Sequence, residues 1–293
     1  MNLKENHLQP VLKKPDWLKI KLPKAGDYSY LKKYLRQYNL HTICESGCCP
    51  NIGECWENKT ATFMILGDIC TRSCSFCNVK TGKPFPPDYQ EPTRIAEVIS
   101  DMKLIHCVIT SVDRDDLLDG GSDIWAMTIT SIKELNPKTT IESLIPDFKG
   151  DKDLIMKIIK AGPNIISHNI ETVERLTKMV RMKAKYDRSL DVLKFISSYG
   201  IKTKSGIMLG LGETSEEIIK TMDDILNSGC KILTIGQYLQ PTKNHLPVNR
   251  YVTPEEFENY KFIALEKGFD YVECGPLVRS SYHGEKQISN TVN

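Results

Sequence analysis

An α/β fold built around a parallel sheet is what this 293-residue sequence predicts, on three observations. From about Ala61 onward, short β-branched runs alternate with amphipathic segments. Those segments carry helix start and stop signals at the spacings that satisfy orphaned backbone groups. The composition, 40% hydrophobic and 26% charged, is that of a globular chain able to bury a sizeable core.

Before Ala61 the chain is rich in cysteine and lacks clear periodicity, so it reads as loops positioned over a scaffold. Strands are predicted over 61–67, 107–112, 139–145, 165–170, 203–210 and 232–239. Four prolines between Asn78 and Pro92 make an extended connector. A helix follows, because Ile95, Val98, Ile99 and Met102 fall at i, i+3, i+4 and i+7. Gly200 stands where a helix C-cap belongs, after Leu190, Leu193 and Ile196. Thr214 with Glu217, and Thr253 with Pro254 and Glu256, fit capping boxes at two further helix starts. Six strands alternating with helices imply parallel pairing, as in a barrel or a doubly wound sheet, and the pattern alone does not choose between them. In either architecture chemistry collects at the C-terminal strand ends, where Asp113, Asn169, Glu171, Glu213 and Gln237 fall.

With 39 Lys and Arg against 37 Asp and Glu, the net charge is +2 and the lysines are interleaved with acids. That balance argues against nucleic acid as a partner. No run approaches the roughly 18 apolar residues of a bilayer span, and the first twenty residues show no signal-peptide pattern. A soluble, cytoplasmic protein without a membrane partner is expected.

Ten cysteines are far too few for a disulfide scaffold of this length, and seven of them lie between Cys44 and Cys77. Clustered thiols without a secretory signal point to metal or cluster binding. Cys107, Cys230 and Cys274 sit among apolar neighbours and read as core residues. Cys70, Cys74 and Cys77 arrive at x3 and x2 spacing in one loop directly after the first strand. Three thiolates hold three irons of a four-iron cubane and leave the fourth open, whereas zinc knuckles usually bring paired cysteines and four ligands. The spacing favours a cluster. The second group, Cys44, Cys48, Cys49 and Cys55, fits a zinc knuckle or a second cluster equally well by composition.

The Cys-x3-Cys-x2-Cys loop, with Phe76 before its last cysteine, resembles the signature of radical S-adenosylmethionine (radical SAM) enzymes. Both segments together resemble the lipoyl synthase family, whose Cys-x4-Cys-x5-Cys pattern matches Cys44, Cys49 and Cys55 and leaves Cys48 extra. Further matches are Lys14-Pro15-Asp16-Trp17-Leu18, Thr110 to Asp116, His168 to Thr172, Gly206 to Glu213, Gly236 to Thr242 and Arg279-Ser280-Ser281-Tyr282, so the likeness covers nearly the whole chain. Ser75 stands where the family commonly has proline and Asn78 where it commonly has aspartate.

The resemblance implies a partial (β/α)6 TIM-type barrel over 59–270. An N-terminal extension, 1–58, would carry the auxiliary cluster cysteines, and a C-terminal segment, 271–293, the Arg-Ser-Ser-Tyr motif, both lying over the barrel mouth. It implies two [4Fe-4S] clusters: one on Cys70, Cys74 and Cys77 that binds and cleaves SAM, and one on Cys44, Cys49 and Cys55 completed by Ser281, with Ser280 the fallback. Asn169, Glu171 and Arg181 are the implied contacts to the polar parts of SAM, and the backbone near Met208 and Leu239 the flank of its adenine. The implied reaction inserts sulfur at C6 and C8 of an octanoyl group on a lysine of a lipoyl carrier domain, in a 2-oxoacid dehydrogenase E2 or a glycine cleavage H protein. A low-potential electron donor and an iron-sulfur carrier for cluster repair are the further implied partners. The competing readings are another radical SAM sulfur-inserting enzyme and an iron-sulfur redox sensor without turnover.

Overall fold

Strand order decides between the two architectures that the sequence leaves open. The computed structural model describes residues 12–19, 33–47 and 49–289. Its main sheet has eight strands: β1 (His41–Thr42), β2 (Thr60–Ile65), β5 (His106–Ser111), β6 (Thr140–Leu144), β7 (Ile165–Ser167), β8 (Lys202–Leu209), β9 (Ile232–Gln237) and β10 (Tyr271–Gly275). They lie side by side in that order. A doubly wound sheet reverses its order at a switch point, whereas winding that always advances in one direction is that of a (β/α) barrel. Every pair from β2 to β10 is parallel, and only the edge strand β1 is antiparallel. Among the described residues no ladder joins β1 to β10, so the barrel is partial.

Six β/α units precede β10. Their helices are α3 (Glu91–Asp101), α4 (Ser122–Leu135), α5 (Lys152–Ala161), the pair α6 (Glu174–Val180) and α7 (Tyr186–Ser197), α8 (Ser215–Asn227) and α9 (Pro254–Glu266). Two short helices, α1 (Ile43–Ser46) and α2 (Ile52–Glu57), precede β2, and α10 (Gly284–Ser289) follows β10. Both anticipated capping boxes are formed, at Thr214 with Glu217 and at Thr253 with Glu256. All six anticipated strands form, with ends within three residues of those anticipated. The sequence pattern does not single out β10, whose half-buried alternation is weak, nor the two-residue β1. A domain division drawn at 270 therefore runs between α9 and a strand of the same sheet.

The ladder register assigns each strand residue to a face. Ala61, Phe63, Ile65, Cys107, Ile109, Ile141, Ile166, Ile207, Leu209, Leu233, Ile235, Val272 and Cys274 share the outer face and are buried under the helices. Cys107, Cys230 and Cys274 are core residues, as anticipated. The inner face is different. It carries Thr60, Thr62, His106, Thr110, Glu142, Ser167, Lys204, Gly206, Thr234 and Gly236 interleaved with Met64, Val108, Leu144, Ile165, Met208 and Ile232, so polar and small residues break up the branched apolar layers that fill most such barrels. Deep in this lumen Lys204 donates to Glu142 at 2.9 Å, both side chains fully buried, and Ser167 Oγ donates to the other Glu142 oxygen at 2.7 Å.

Segments flanking the sheet bridge its two free edges. Asn51 donates from Nδ2 to the Leu277 carbonyl at 2.7 Å, Tyr282 donates to Glu54, and the Val278 carbonyl occupies the space a Cβ on Gly236 would take. Among the described residues no helix is long and apolar enough to cross a membrane.

Candidate functional site

The first cysteine group is built on the loop leaving β2. Leu66 and Gly67 both take left-handed backbone, φ 69° and 90°, a conformation costly for leucine. The buried Glu91 carboxylate at the start of α3 accepts from Leu66 N at 2.8 Å and holds that turn. Beyond it, the short parallel ladder of β3 (Ile69–Cys70) with β4 (Lys80–Thr81) pins Cys70 opposite Thr81, so Cys74 and Cys77 lie on the excursion between. Cys77 N donates to the Cys74 carbonyl at 3.0 Å, closing a tight turn. Cys70 Sγ accepts from the backbone N–H groups of Arg72 and Asp113 at 3.4 and 3.3 Å. Neighbouring loops hold the outside: Ser75 N donates to the Val180 carbonyl, Leu246 N donates to the Ser75 carbonyl, and the His245 ring sits 2.9 Å from the Cys77 carbonyl.

Arg72, between Cys70 and Cys74, anchors this loop to the barrel. It forms a bidentate pair with Asp115 at 2.9 and 2.8 Å, reaches Asp147 at 2.8 Å and lies 3.3 Å from Asp113. Burial opposes charge on Asp147, but the hydrogen bond and charge of Arg72 hold its carboxyl well below the usual range. Within the run from Asp113 to Asp116, half-buried Asp113 and Asp115 pair with the buried Arg72, while exposed Asp116 pairs with Arg114.

The second group surrounds α1 and α2. Thr42 caps α1, accepting from Glu45 N at 3.3 Å, and places Cys44 in the interior. Cys49 N donates to the Cys44 carbonyl at 2.9 Å, and α2 supplies Cys55. Cys48 lies outside the described residues. Asn78 donates from Nδ2 to the Ser46 carbonyl at 2.8 Å, tying the two cysteine segments together. On the C-terminal side Tyr282 N donates to the Arg279 carbonyl at 2.9 Å, closing a turn with Ser280 and Ser281 at its corners. Both serines are half-buried. They are bracketed by Arg279, whose charge acts on Cys49, and Tyr282, which feels Cys55.

Within each group the thiols interact electrostatically with one another. Burial pushes all six up, Cys44 and Cys74 to about 12 and Cys77 to about 11, so they are neutral unless a cationic group binds. Among the described residues no three His, Cys, Asp or Glu side chains are placed to hold a single metal ion. A four-iron cubane asks for something else, three thiolates at its separate corners. Two groups of three sulfur donors, each from one short stretch of chain, fit that requirement.

At the mouth, Asn169 donates from Nδ2 to Glu171 Oε1 at 3.0 Å, while its buried Oδ1 has no partner. An orphaned acceptor there suits the hydroxyl or ammonium of a bound ligand. Glu171 is in left-handed backbone at φ 68°, bridges to Ile207 and accepts through its carbonyl from Met208 N at 2.8 Å. Burial pushes its carboxyl up and Arg181 opposes that. Arg181 Nη1 donates to the carbonyls of Asn169 and Ile170 and to Ser189 Oγ. One guanidinium nitrogen is therefore committed to the backbone behind Asn169, and its charge reaches Cys74. Met208 lies on the lumen side of β8 and Leu239, half-buried, follows β9. Glu213 and Gln237 point elsewhere. Glu213 accepts from the backbone of Leu211, and Gln237 bonds Val252 N and the Arg250 carbonyl. Sequence reasoning missed Arg72, Asp147, Glu91, Asn51 and Glu54, because none stands in a spaced motif of its own.

A partial barrel with three loop cysteines after its first parallel strand defines a radical SAM enzyme. A model of the radical SAM superfamily matches residues 64–225, and one of the N-terminal domain of lipoyl synthase of that superfamily matches residues 1–49. Lipoyl synthase of Bacteroides thetaiotaomicron is 60% identical over 277 residues, 94% of this chain and 98% of its own. The mitochondrial lipoyl synthase of Nematostella vectensis is 56% identical over 285 residues, 97% of this chain and 98% of its own. Among solved structures, SuiB of Streptococcus suis is similar at TM-score 0.57 and 14% identity, covering 94% of this chain and 61% of that one. Methylornithine synthase (PylB) is similar at TM-score 0.52 and 13% identity, covering 86% and 79%. At such identities the structures speak to the fold alone.

The chain belongs to the lipoyl synthase family. Membership sets the activity as radical SAM sulfur insertion, with SAM and [4Fe-4S] clusters as cofactors.

Proposed function

We propose that Cys70, Cys74 and Cys77 hold the SAM-binding cluster, and that Cys44, Cys49, Cys55 and Ser281 hold the auxiliary cluster that donates sulfur. The substrate is an octanoylated carrier protein, and we assign its octanoyl group to a lysine of a lipoyl carrier domain, in a 2-oxoacid dehydrogenase E2 or a glycine cleavage H protein. When bound, the SAM cluster and SAM supply a hydrogen-abstracting 5′-deoxyadenosyl radical and the auxiliary cluster supplies sulfide for C6 and C8. The chain's own residues do the rest. Arg72, locked to Asp115 and Asp147, fixes the loop that presents the three thiols. Asn169 offers its unpartnered Oδ1, and Glu171 its carboxyl, to the polar groups of SAM. Arg181 backs them by holding the carbonyls of residues 169 and 170. Met208 and Leu239 flank the space expected for the adenine. Serine oxygen is a harder donor than thiolate, so an iron held by Ser281 is the corner of the cluster most readily released.

The observation that carries this reading is the pairing of two separate cysteine triads, linked by the Asn78 hydrogen bond to Ser46. We assign the cytoplasm as the site of action, where clustered thiols stay reduced and available to iron. A low-potential electron donor and an iron-sulfur carrier for rebuilding the spent cluster complete the set of partners we assign. The test is the mass of an octanoylated carrier domain after anaerobic incubation with the reconstituted protein, SAM and a strong reductant. A gain of two sulfurs, lost in Cys55→Ala and Ser281→Ala, is expected. Release of 5′-deoxyadenosine without that gain points to another radical SAM substrate, and neither product from protein loaded with both clusters favours the sensor.

A further inference from the structure

The auxiliary site is assembled from two ends of the chain, and Ser281 reaches it only as far as the tail is held there. Two contacts do the holding. Asn51, buried at the start of α2, donates from Nδ2 to the Leu277 carbonyl at 2.7 Å. Glu54, one turn further along α2, accepts from the Tyr282 hydroxyl with both oxygens, at 3.0 and 3.1 Å, and meets His283 Nε2 at 3.3 Å. The Tyr282 and His283 rings stack with centroids 3.8 Å apart, so the two side chains present a single edge to Glu54. The offsets matter. Glu54 directly precedes Cys55, and Tyr282 directly follows Ser281. Because Tyr282 N also closes the turn onto the Arg279 carbonyl, fixing the Tyr282 ring fixes the turn that carries Ser281.

We propose that Glu54 is a positioning residue, which clamps the Arg279–Tyr282 turn through the Tyr282 hydroxyl so that the Ser281 oxygen faces the auxiliary site. This rests on the assignment of Cys44, Cys49, Cys55 and Ser281 above. A carboxylate sharing the single phenol proton between its two oxygens is a stronger tether than a neutral acceptor, yet either holds the turn. The clamp acts on one corner of one cluster. It has no contact with the loop of Cys70, Cys74 and Cys77.

The test uses holoenzyme loaded with both clusters and a ferrous chelator, bathophenanthroline disulfonate, with iron release followed anaerobically by absorbance and the remaining iron sites by Mössbauer spectroscopy. In Glu54→Ala the auxiliary iron is released about tenfold faster, the scale of losing one hydrogen bond to a charged group, and the signal of the oxygen-held iron diminishes. The phase belonging to the SAM-binding cluster, identified by its loss in Cys70→Ala, is unchanged. Glu54→Gln, which still accepts from the phenol, stays within about threefold of the parent, whereas Tyr282→Phe matches Glu54→Ala. The double variant Glu54→Ala with Tyr282→Phe is no faster than either alone, because both remove the same bond. Should Glu54→Ala hold too little iron to measure, the comparison of Tyr282→Phe with Glu54→Gln decides the matter by the same criterion. Parent-like release in Glu54→Ala and Tyr282→Phe, alongside fast release in Ser281→Ala, overturns the clamp. Parent-like release and an unchanged spectrum in Ser281→Ala overturn instead the assignment of Ser281 on which the clamp rests.

Discussion

Glu91 offers the sharpest quantitative test of how the first cysteine loop is held. Its side chain is buried at the start of α3, accepts from Leu66 N and sits beside Arg94 and Asp88. Burial pushes its carboxyl from the ordinary 4.5 up to about 7, against the hydrogen bonds from Leu66 and Gly67 and the charge of Arg94. In the unfolded chain the group loses its proton near 4.5, and in the folded protein near 7. Between those values the native state keeps a proton that the unfolded state has released, so stability falls as pH rises through this window and is level above it. A displacement of this size is worth roughly 3 kcal/mol across the window. Asp88 and Arg94 are common to the parent and the variant, so the comparison isolates Glu91.

The perturbation is Glu91→Gln, which keeps an acceptor for Leu66 N and removes the proton. Anaerobic guanidinium unfolding of parent and variant between about pH 5 and pH 8 is the assay. The variant is expected to gain on the parent by roughly 2–3 kcal/mol as pH rises over that range, reaching a plateau near neutrality. A stability difference that stays flat with pH would refute the reasoning, since it would mean that Glu91 titrates alike in both states.

Two further outcomes are expected. Lys204→Met leaves Glu142 as an uncompensated charge in the lumen and lowers stability by about 3–5 kcal/mol in thermal or denaturant unfolding, while Glu142→Gln with Lys204→Met recovers most of it. If the single variant is no less stable than the double, the pair is not acting as a buried ion pair. Under the proposed assignment Cys49→Ala abolishes the auxiliary cluster in iron and sulfide analysis and Cys48→Ala spares it; the reverse pattern would move the ligand set to Cys-x3-Cys-x6-Cys.

How far the sequence could be read depended on whether a feature is local. Strands β2 and β5 to β9, the caps at Thr214 and Thr253, and the cysteine spacings are written in stretches of a few residues, and each forms. Barrel winding is not local. It emerges from the order of the ladders, as does the assignment of each strand residue to an apolar outer face or a mixed inner one. The buried pair of Glu142 and Lys204 lies 62 residues apart in sequence and is invisible to any periodicity. Arg72 shows the same limit at the site, since its partners Asp115 and Asp147 lie 43 and 75 residues away. Glu213 and Gln237 mark the opposite error: each stands at a strand end where chemistry is expected, but each is taken up by backbone groups of the loop it stabilises.

The open sheet and the proposed two-ended auxiliary site are one solution to one physical problem. A parallel sheet that stops before closing leaves exposed edges, and such edges must be covered to avoid pairing with other chains. Here β1 covers the outer side of β2, and the segment after β10 crosses to meet α2, so covering the gap brings residues 277–285 against residues 51–60. Gly236 permits that crossing, since any side chain there would collide with the Val278 carbonyl. A closed barrel would have no need of the strap and would give the Arg279–Tyr282 turn nothing to span. Under the proposed assignment, the incompleteness of the barrel is what allows Ser281 from the tail to join Cys44, Cys49 and Cys55 from the head of the chain.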